Sequence, residues 1–211
     1  MATLSDLIAR VALDLGDAGH AIWSSAELTA YLRRALAAYS RCDPQRLDVV
    51  IPSTAGLREY PLAALGPFME ITDLWYPYDP AAPVHPPRRP EWALILSKTY
   101  YLGVADAPTG GPHDQMRLFF TAPHTLEGLD DAEETTLDAD GEGIVALGAA
   151  AFAAEARARG LLGAVTVSVD TPRQWAAWAE ARLARFEEAL QGVRRRRVAA
   201  PDPRVAVEMA V

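Results

Sequence analysis

The 211-residue chain has one cysteine, Cys42, and one lysine, Lys98. A single thiol excludes an internal disulfide framework and a zinc finger, and it reads as synthesis in a reducing compartment. Cys42 itself reads as a small residue near a helix end. The other basic residues are arginine, and 20 bases against 28 acids leave a formal net charge of −8. That balance excludes nucleic-acid capture by bulk charge. The longest apolar run, around Ile144–Ala154, is too short to span a bilayer and contains Gly148. The first twenty residues place Asp6, Arg10, Asp14 and Asp17 among the apolar positions, which is no signal peptide. The expectation is a soluble protein made in the cytoplasm, with no membrane partner.

Signatures of chemistry are equally sparse. The four histidines, His20, His85, His113 and His124, fall in expected loops, and no pair has metal-ligand spacing. Gly110-Gly111 is not followed by G-K-[ST], and neither G-x-S-x-G nor G-x-G-x-x-G occurs. His113-Asp114 reads either as half of a dyad or as two neighbouring loop residues. Asp138, Asp140 and Glu142 superficially suggest a calcium loop, but no glutamate closes the twelve-residue pattern. No catalytic residue, metal or cofactor is therefore expected, and a small soluble enzyme is the weakest of the functional alternatives.

Hydrophobic residues make up 50% of the chain, enough for a sizeable core in one domain or one domain with an elaboration. Thr3 caps a first helix over 3–16, with Asp6 three residues on and Leu4, Leu7, Ile8, Val11 and Leu15 at helical spacing. Gly16 ends it. Next comes Ile22-Trp23-Ser24-Ser25-Ala26-Glu27-Leu28. Ser24 and Glu27 have the spacing of a capping box, and Trp23 with Leu28 that of a hydrophobic staple. Tyr31, Leu32, Ala35, Leu36 and Tyr39 continue the helix over 25–42, and Asp43-Pro44 stops it.

The period then changes to two, and the β region extends over 46–123. Leu47, Val49 and Ile51 read as one strand, Arg58–Leu62 as its return, and Phe68–Trp75 as a strand after a short helical turn. Pro77–Pro90 holds six prolines and reads as an ordered loop or an extended arm. Trp92–Gly103 and Met116–Phe120 supply further strands. Helices return over 143–159, rich in alanine, and over 172–191. There Thr171 is the expected cap, Pro172 the first helical residue and Gln174 the closing partner, and Gly192 ends the run. Helices, strands, helices indicate an α+β fold: N- and C-terminal helices bundled together, with a small, mostly antiparallel β region between them.

Two segments stand apart. Glu127, Asp130, Asp131, Glu133, Glu134, Asp138, Asp140 and Glu142 lie within sixteen residues without a base. They read as a solvated acidic loop or as a wall that repels phosphates and lets a duplex pass without sticking. Beyond the domain at 1–192, the segment 193–211 reads as an extended C-terminal arm. Arg194, Arg195, Arg196 and Arg197 complement a helix C-terminus, bind DNA or meet an acidic partner. Val205, Val207, Met209 and Val211 alternate with Ala206, Glu208 and Ala210. That is a strand pattern with no core of its own: a frayed tail, or an arm that adds a strand to a neighbouring protein.

The ordered set resembles the head-to-tail adaptor (connector) proteins of tailed bacteriophages. The residues that carry the resemblance are Leu7, Ile8 and Leu15, Trp23-Ser24 with Glu27-Leu28 and Tyr31, the strand Val49–Ile51, Glu59-Tyr60-Pro61-Leu62, the strand around Leu118–Phe120, the alanine-rich helix, and Arg185-Phe186-Glu187 in the last one. The resemblance implies a non-enzymatic virion protein of the neck, assembled in the host cytoplasm. It would form a homo-oligomeric ring, usually a dodecamer, that joins the portal protein to the tail or the next neck protein and extends the channel for double-stranded DNA. It implies that the C-terminal segment reaches the portal. The proline-rich insert is longer than the resemblance would suggest. Another neck component, a stopper or tail-completion protein, is the alternative.

Overall fold

The computed structural model describes residues 1–84, 87–97, 100–161, 168 and 170–199. Its elements are α1 (Leu4–Asp14), α2 (Ser25–Cys42), β1 (Gln45–Ile51), β2 (Glu59–Pro61), β3 (Glu70–Tyr78), β4 (Trp92–Leu96), β5 (Tyr100–Val104), β6 (Gln115–Ala122), α3 (Ala139–Gly160) and α4 (Asp170–Ala199), with a short 3-10 turn at Ala63–Leu65. This is an α+β fold in which N- and C-terminal helices flank, in chain order, an antiparallel β region. The chain divides into a helical unit, Met1–Pro44 with His124 to the end of α4, and a β unit, Gln45–Pro123.

In the helical unit, local chemistry sets where the first two helices begin. Thr3 and Asp6 close a capping box on α1, and Ser24 and Glu27 close one on α2. Gly16, at φ +70, turns the chain out of α1. A carboxylate then shapes the loop. Asp17 is 5% exposed, and it accepts the backbone N–H groups of Ala21 at 2.8 Å, Ile22 at 2.9 Å and Trp23 at 2.9 Å. Three donors satisfy a charge that would otherwise be costly to bury.

Helix α3 lies at the centre of this unit. Val145, Ala146 and the run Gly148–Ala154 are all buried, the signature of a helix packed on several sides. Its small residues allow close approach by α4, and Phe186 lies against Gly148. Phe152 meets Phe186 edge to face at 5.7 Å. Trp23 is buried and meets Trp175 of α4 at 5.4 Å. The expected α3 started at 143, whereas it begins at Ala139, because the Asp138 side chain accepts the Gly141 N–H at 2.7 Å and caps the helix ahead of both glycines.

The last helix departs from expectation at both ends. It begins at Asp170, where the Thr171 N–H donates to the Ser168 carbonyl at 3.0 Å. Thr171 thus lies in the first turn and is not the cap, and the box with Gln174 does not form. The helix also continues through Gly192 to Ala199. Val193 just beyond is 3% exposed in the core, and its burial outweighs the roughly 1 kcal/mol that a helical glycine costs.

The β unit consists of two three-stranded antiparallel sheets, in the orders β1-β6-β3 and β2-β5-β4. They share one core, in which Leu74, Leu102, Met116 and Leu118 are fully buried. Tyr60 pins the preceding turn: its hydroxyl accepts the Thr54 N–H at 3.1 Å and donates to the Leu57 carbonyl at 3.0 Å. Pro77 and Tyr78 of the proline-rich segment belong to the end of β3, and its other described residues form a loop on this unit. The Tyr76 N–H donates to the Arg88 carbonyl at 3.0 Å, Arg88 pairs with Asp106 at 2.7 Å, and Arg89 pairs with Asp73 at 3.0 Å.

Candidate interaction surfaces

The titratable side chains sort first. His113 pairs with Asp79 at 2.6 Å. Asp114 turns the other way and accepts the N–H and Oγ1–H of Thr109 at 2.7 and 2.6 Å and the Gly110 N–H at 2.9 Å. The possible His113-Asp114 dyad therefore does not form. Burial alone would raise the Asp114 carboxyl, but the donors from Thr109, Tyr76 and Gly110 outweigh it and hold the group below the usual carboxylate range. His124 lies in the helical unit, its Nε2 2.8 Å from the Asp43 carbonyl and its Nδ1 3.1 Å from Thr136. Among the described residues no group of three His, Cys, Asp or Glu side chains could hold a metal ion. His85 lies outside them.

The acidic segment is a built loop. Leu126, Leu129 and Leu137 plug into the helical core, while Glu127, Asp130, Asp131, Glu133, Glu134 and Asp138 are exposed. Threonines clasp it. The Thr136 N–H donates to the Thr125 carbonyl at 3.1 Å, the Glu127 N–H to Thr135 Oγ1 at 3.0 Å, and Thr135 Oγ1 in turn to the Ala2 carbonyl at 2.7 Å. The N-terminus is stitched to the same region, since the Ala2 N–H donates to Glu142 Oε1 at 2.6 Å. Two acids already have partners. Arg33 grips Asp130 with Nε at 2.9 Å and Nη2 at 2.6 Å, which holds its carboxyl below the usual range, and Asp138 caps α3. No calcium-type cluster forms from Asp138, Asp140 and Glu142, because the cap and the Ala2 contact separate their tasks.

Arg194–Arg197 form the last turns of α4, with Arg194, Arg195 and Arg196 exposed and Arg197 half-buried. Cationic side chains here complement the negative end of the helix dipole. Arg196 also lines an open groove of about 410 Å³ with Arg10, Asp140, Ile144 and Gly192. Arg182, which pairs with Asp14 and stacks 4.3 Å over Trp178, lines another groove of about 490 Å³. Val205, Val207, Met209 and Val211 lie outside the described residues.

The signature positions are structural. Glu27 Oε2 accepts the Ser24 N–H at 2.9 Å and the Ser24 hydroxyl at 2.7 Å, which holds its carboxyl below the usual range. Tyr31 is half-buried on α2, and burial pushes its hydroxyl upward.

One surface was missed by sequence reasoning. On the β unit, Leu94, Ile95, Leu96 and Tyr100 are exposed together, Leu96 by 67%. The apolar run was visible as a strand, but its place at a sheet edge depends on pairings far along the chain.

No protein-family model matches the chain, and no curated protein matches it. Solved structures do. The chain is similar to one from the neck of an empty gene transfer agent particle computed with C6 symmetry, at 21% identity over 71% of this chain and 76% of that one, with a TM-score of 0.33. It is similar to one from the virion of the native gene transfer agent particle, at 18% identity over 83% and 90%, with a TM-score of 0.34. A chain from the neck of the native particle, computed with C12 symmetry, matches at 17% identity over 83% and 91%, with a TM-score of 0.32. Among the described residues no helix is long and apolar enough to cross a membrane.

Proposed function

We propose that this chain is the subunit of a ring, a dodecamer on the sequence resemblance, that joins the portal of a DNA-filled phage-type head to the tail. One observation carries the reading: Met1–Pro44 and the stretch from His124 to the end of α4 build a single helical unit, and a β unit is inserted between α2 and α3. That is the order of parts in the adaptor family that the sequence resembles. The exposed apolar strand on the β unit adds support, because a ring contact joins two different faces of neighbouring copies.

In this reading the partners are further copies of the chain, the portal, and the tail or next neck protein. The basic end of α4, Arg194–Arg197, and the segment 205–211 grip the portal. Glu127, Asp131, Glu133 and Glu134, held outward by buried leucines, face the duplex and repel its phosphates, with Asp130 and Asp138 beside them. The protein assembles in the host cytoplasm and ends in the virion neck.

Electron microscopy of the purified full-length chain, alone and mixed with the portal protein of the same particle, tests the proposal. A cyclic ring that caps the portal is expected. A ring that binds only the tail side would favour the stopper or tail-completion reading. A monomer that ignores the portal would refute both.

A further inference from the structure

Strand β4, Trp92-Ala93-Leu94-Ile95-Leu96, contains no charge. It pairs with β5 along one side, and among the described residues no strand pairs with its other side. The hydrogen bonds decide which backbone groups face that open side. The Ala105 N–H donates to the Glu91 carbonyl at 3.0 Å, so residue 91 turns its backbone toward β5. By strand alternation 93 and 95 do the same, and the N–H and C=O groups of Trp92, Leu94 and Leu96 point away from β5. Their side chains stand opposite Val104, Leu102 and Tyr100. Val104 and Leu102 belong to the buried core. Leu94 and Leu96 therefore sit on the core face and are still open to solvent. Natural edges are blunted by charge, proline or a bulge, and the five residues of β4 have none of these.

Beyond Ala199 the sequence reads Ala-Pro-Asp-Pro-Arg and then Val-Ala-Val-Glu-Met-Ala-Val. Pro201 and Pro203 have no N–H to give a ladder, so continuous pairing begins after them. From there a two-residue period sets Val205, Val207, Met209 and Val211 on one face and Ala206, Glu208 and Ala210 on the other. One face is apolar, and the other is small with a single charge. Such a strand suits the border of a one-sided core: its valines and methionine would extend the row of Leu94 and Leu96, and its alanines and glutamate would lie beside Ala93 and Ile95. At about 3.3 Å per residue the segment is long enough to cover all of β4.

We propose that, in a ring not yet docked to the head, residues 205–211 of one copy add as a further strand to the open edge of β4 in the next copy. Such a contact is heterologous, so it repeats from copy to copy and closes when the ring closes. The proposal rests on the ring reading given above, and the portal, once present, competes for the same segment.

Hydrogen exchange of β4 in the full-length chain and in a chain ending at Ala199, both without portal, tests it. The amides of Leu94 and Leu96 are expected to exchange about tenfold or more slowly in the full-length chain, and more slowly still as protein concentration rises. A synthetic peptide of residues 200–211 should restore the protection to the shortened chain. Leu94→Pro removes an N–H that points away from β5 and should abolish the protection of the Leu96 amide. Val207→Asp, which changes nothing in the described fold, should do the same. Equal exchange in the two chains overturns the proposal. Protection that is independent of concentration also overturns it, by assigning the segment to its own copy. Rings seen by electron microscopy with β4 unprotected would defeat this inference and leave the ring reading intact. A full-length chain that stays monomeric with β4 unprotected would defeat this inference, and the ring reading falls with it only if the chain also fails to form a ring on the portal.

Discussion

Replacing Gly148 with alanine sets two effects of similar size against each other, and the structure decides between them. In an open helix interior, glycine to alanine stabilises by about 1 kcal/mol. At Gly148 a Cβ would lie 2.6 Å from Phe186 Cε2, 2.7 Å from Cζ and 2.9 Å from Cδ2. The ring has little room to retreat, because Phe186 is buried and wedged edge to face against Phe152. Overpacking of this kind costs about 1–3 kcal/mol. Gly192 in α4 is the control: a Cβ there meets nothing within 4 Å. Gly192→Ala should therefore raise stability by up to about 1 kcal/mol, and Gly148→Ala should fall below it by about 1–3 kcal/mol. With a urea slope of about 2 kcal/mol per molar, the two midpoints should differ by about 0.5–1.5 M. Equilibrium unfolding in urea, followed by helical circular dichroism, reads the difference. Phe186→Leu should largely relieve the Gly148→Ala defect in a double-mutant cycle. If Gly148→Ala stabilises as much as Gly192→Ala, the close contact of α3 with α4 is refuted.

Ser24→Ala should destabilise by about 1 kcal/mol through loss of the α2 cap, measured as a shift in the same urea midpoint. The Asp17 carboxyl is held below the usual range, first by the Trp23 N–H and then by the Ile22 and Ala21 N–H groups, against the opposing effect of burial. Because the folded value is the lower one, this stability is present above about pH 4 and is lost as pH falls through the folded value. Asp17→Asn should flatten the decline of melting temperature in acid. Burial first, then the charge of Asp43, pushes the Tyr39 hydroxyl up to about 12, and burial with Asp114 pushes Tyr76 up to about 12. These contributions are complete below about pH 10 and are lost as pH rises through the folded values, so Tyr39→Phe and Tyr76→Phe should each remove a late step from the tyrosinate absorbance titration. At concentrations too low for copies to associate, a chain ending at Ala199 should melt with the full-length chain, whereas Val193→Ala should cost about 2 kcal/mol by calorimetry, because Val193 is in the core.

Features that depend on residues three or four apart were the ones most open to reading from sequence. The Thr3/Asp6 and Ser24/Glu27 boxes need nothing beyond their own turn, and they set the starts of α1 and α2 where expected. The alternating runs revealed strands. They did not reveal that β6 lies between β1 and β3 while β5 lies between β2 and β4, since that order depends on contacts far apart in sequence. Gly192 looked like a helix end because the burial of Val193, which carries α4 past it, is a tertiary fact. Asp17 escaped notice because its donors lie four to six residues ahead in a loop without a period. The acids at 127–138 were visible as charge, but the three leucines that fasten them only gain meaning once the helical core is assembled. Tyr60 entered the reading through a family resemblance, and in the fold it secures a turn.

That fastening separates two properties usually changed together. Leu126, Leu129 and Leu137 with the threonine clasps anchor the loop from within, and the side chains of Glu127, Asp131, Glu133 and Glu134 take no part in the anchoring. Evolution or an engineer can therefore reverse the sign of this skin at Glu127, Glu133 and Glu134 while the scaffold beneath keeps its shape, whereas Asp131, at φ +62, occupies a backbone conformation that a long basic side chain disfavours.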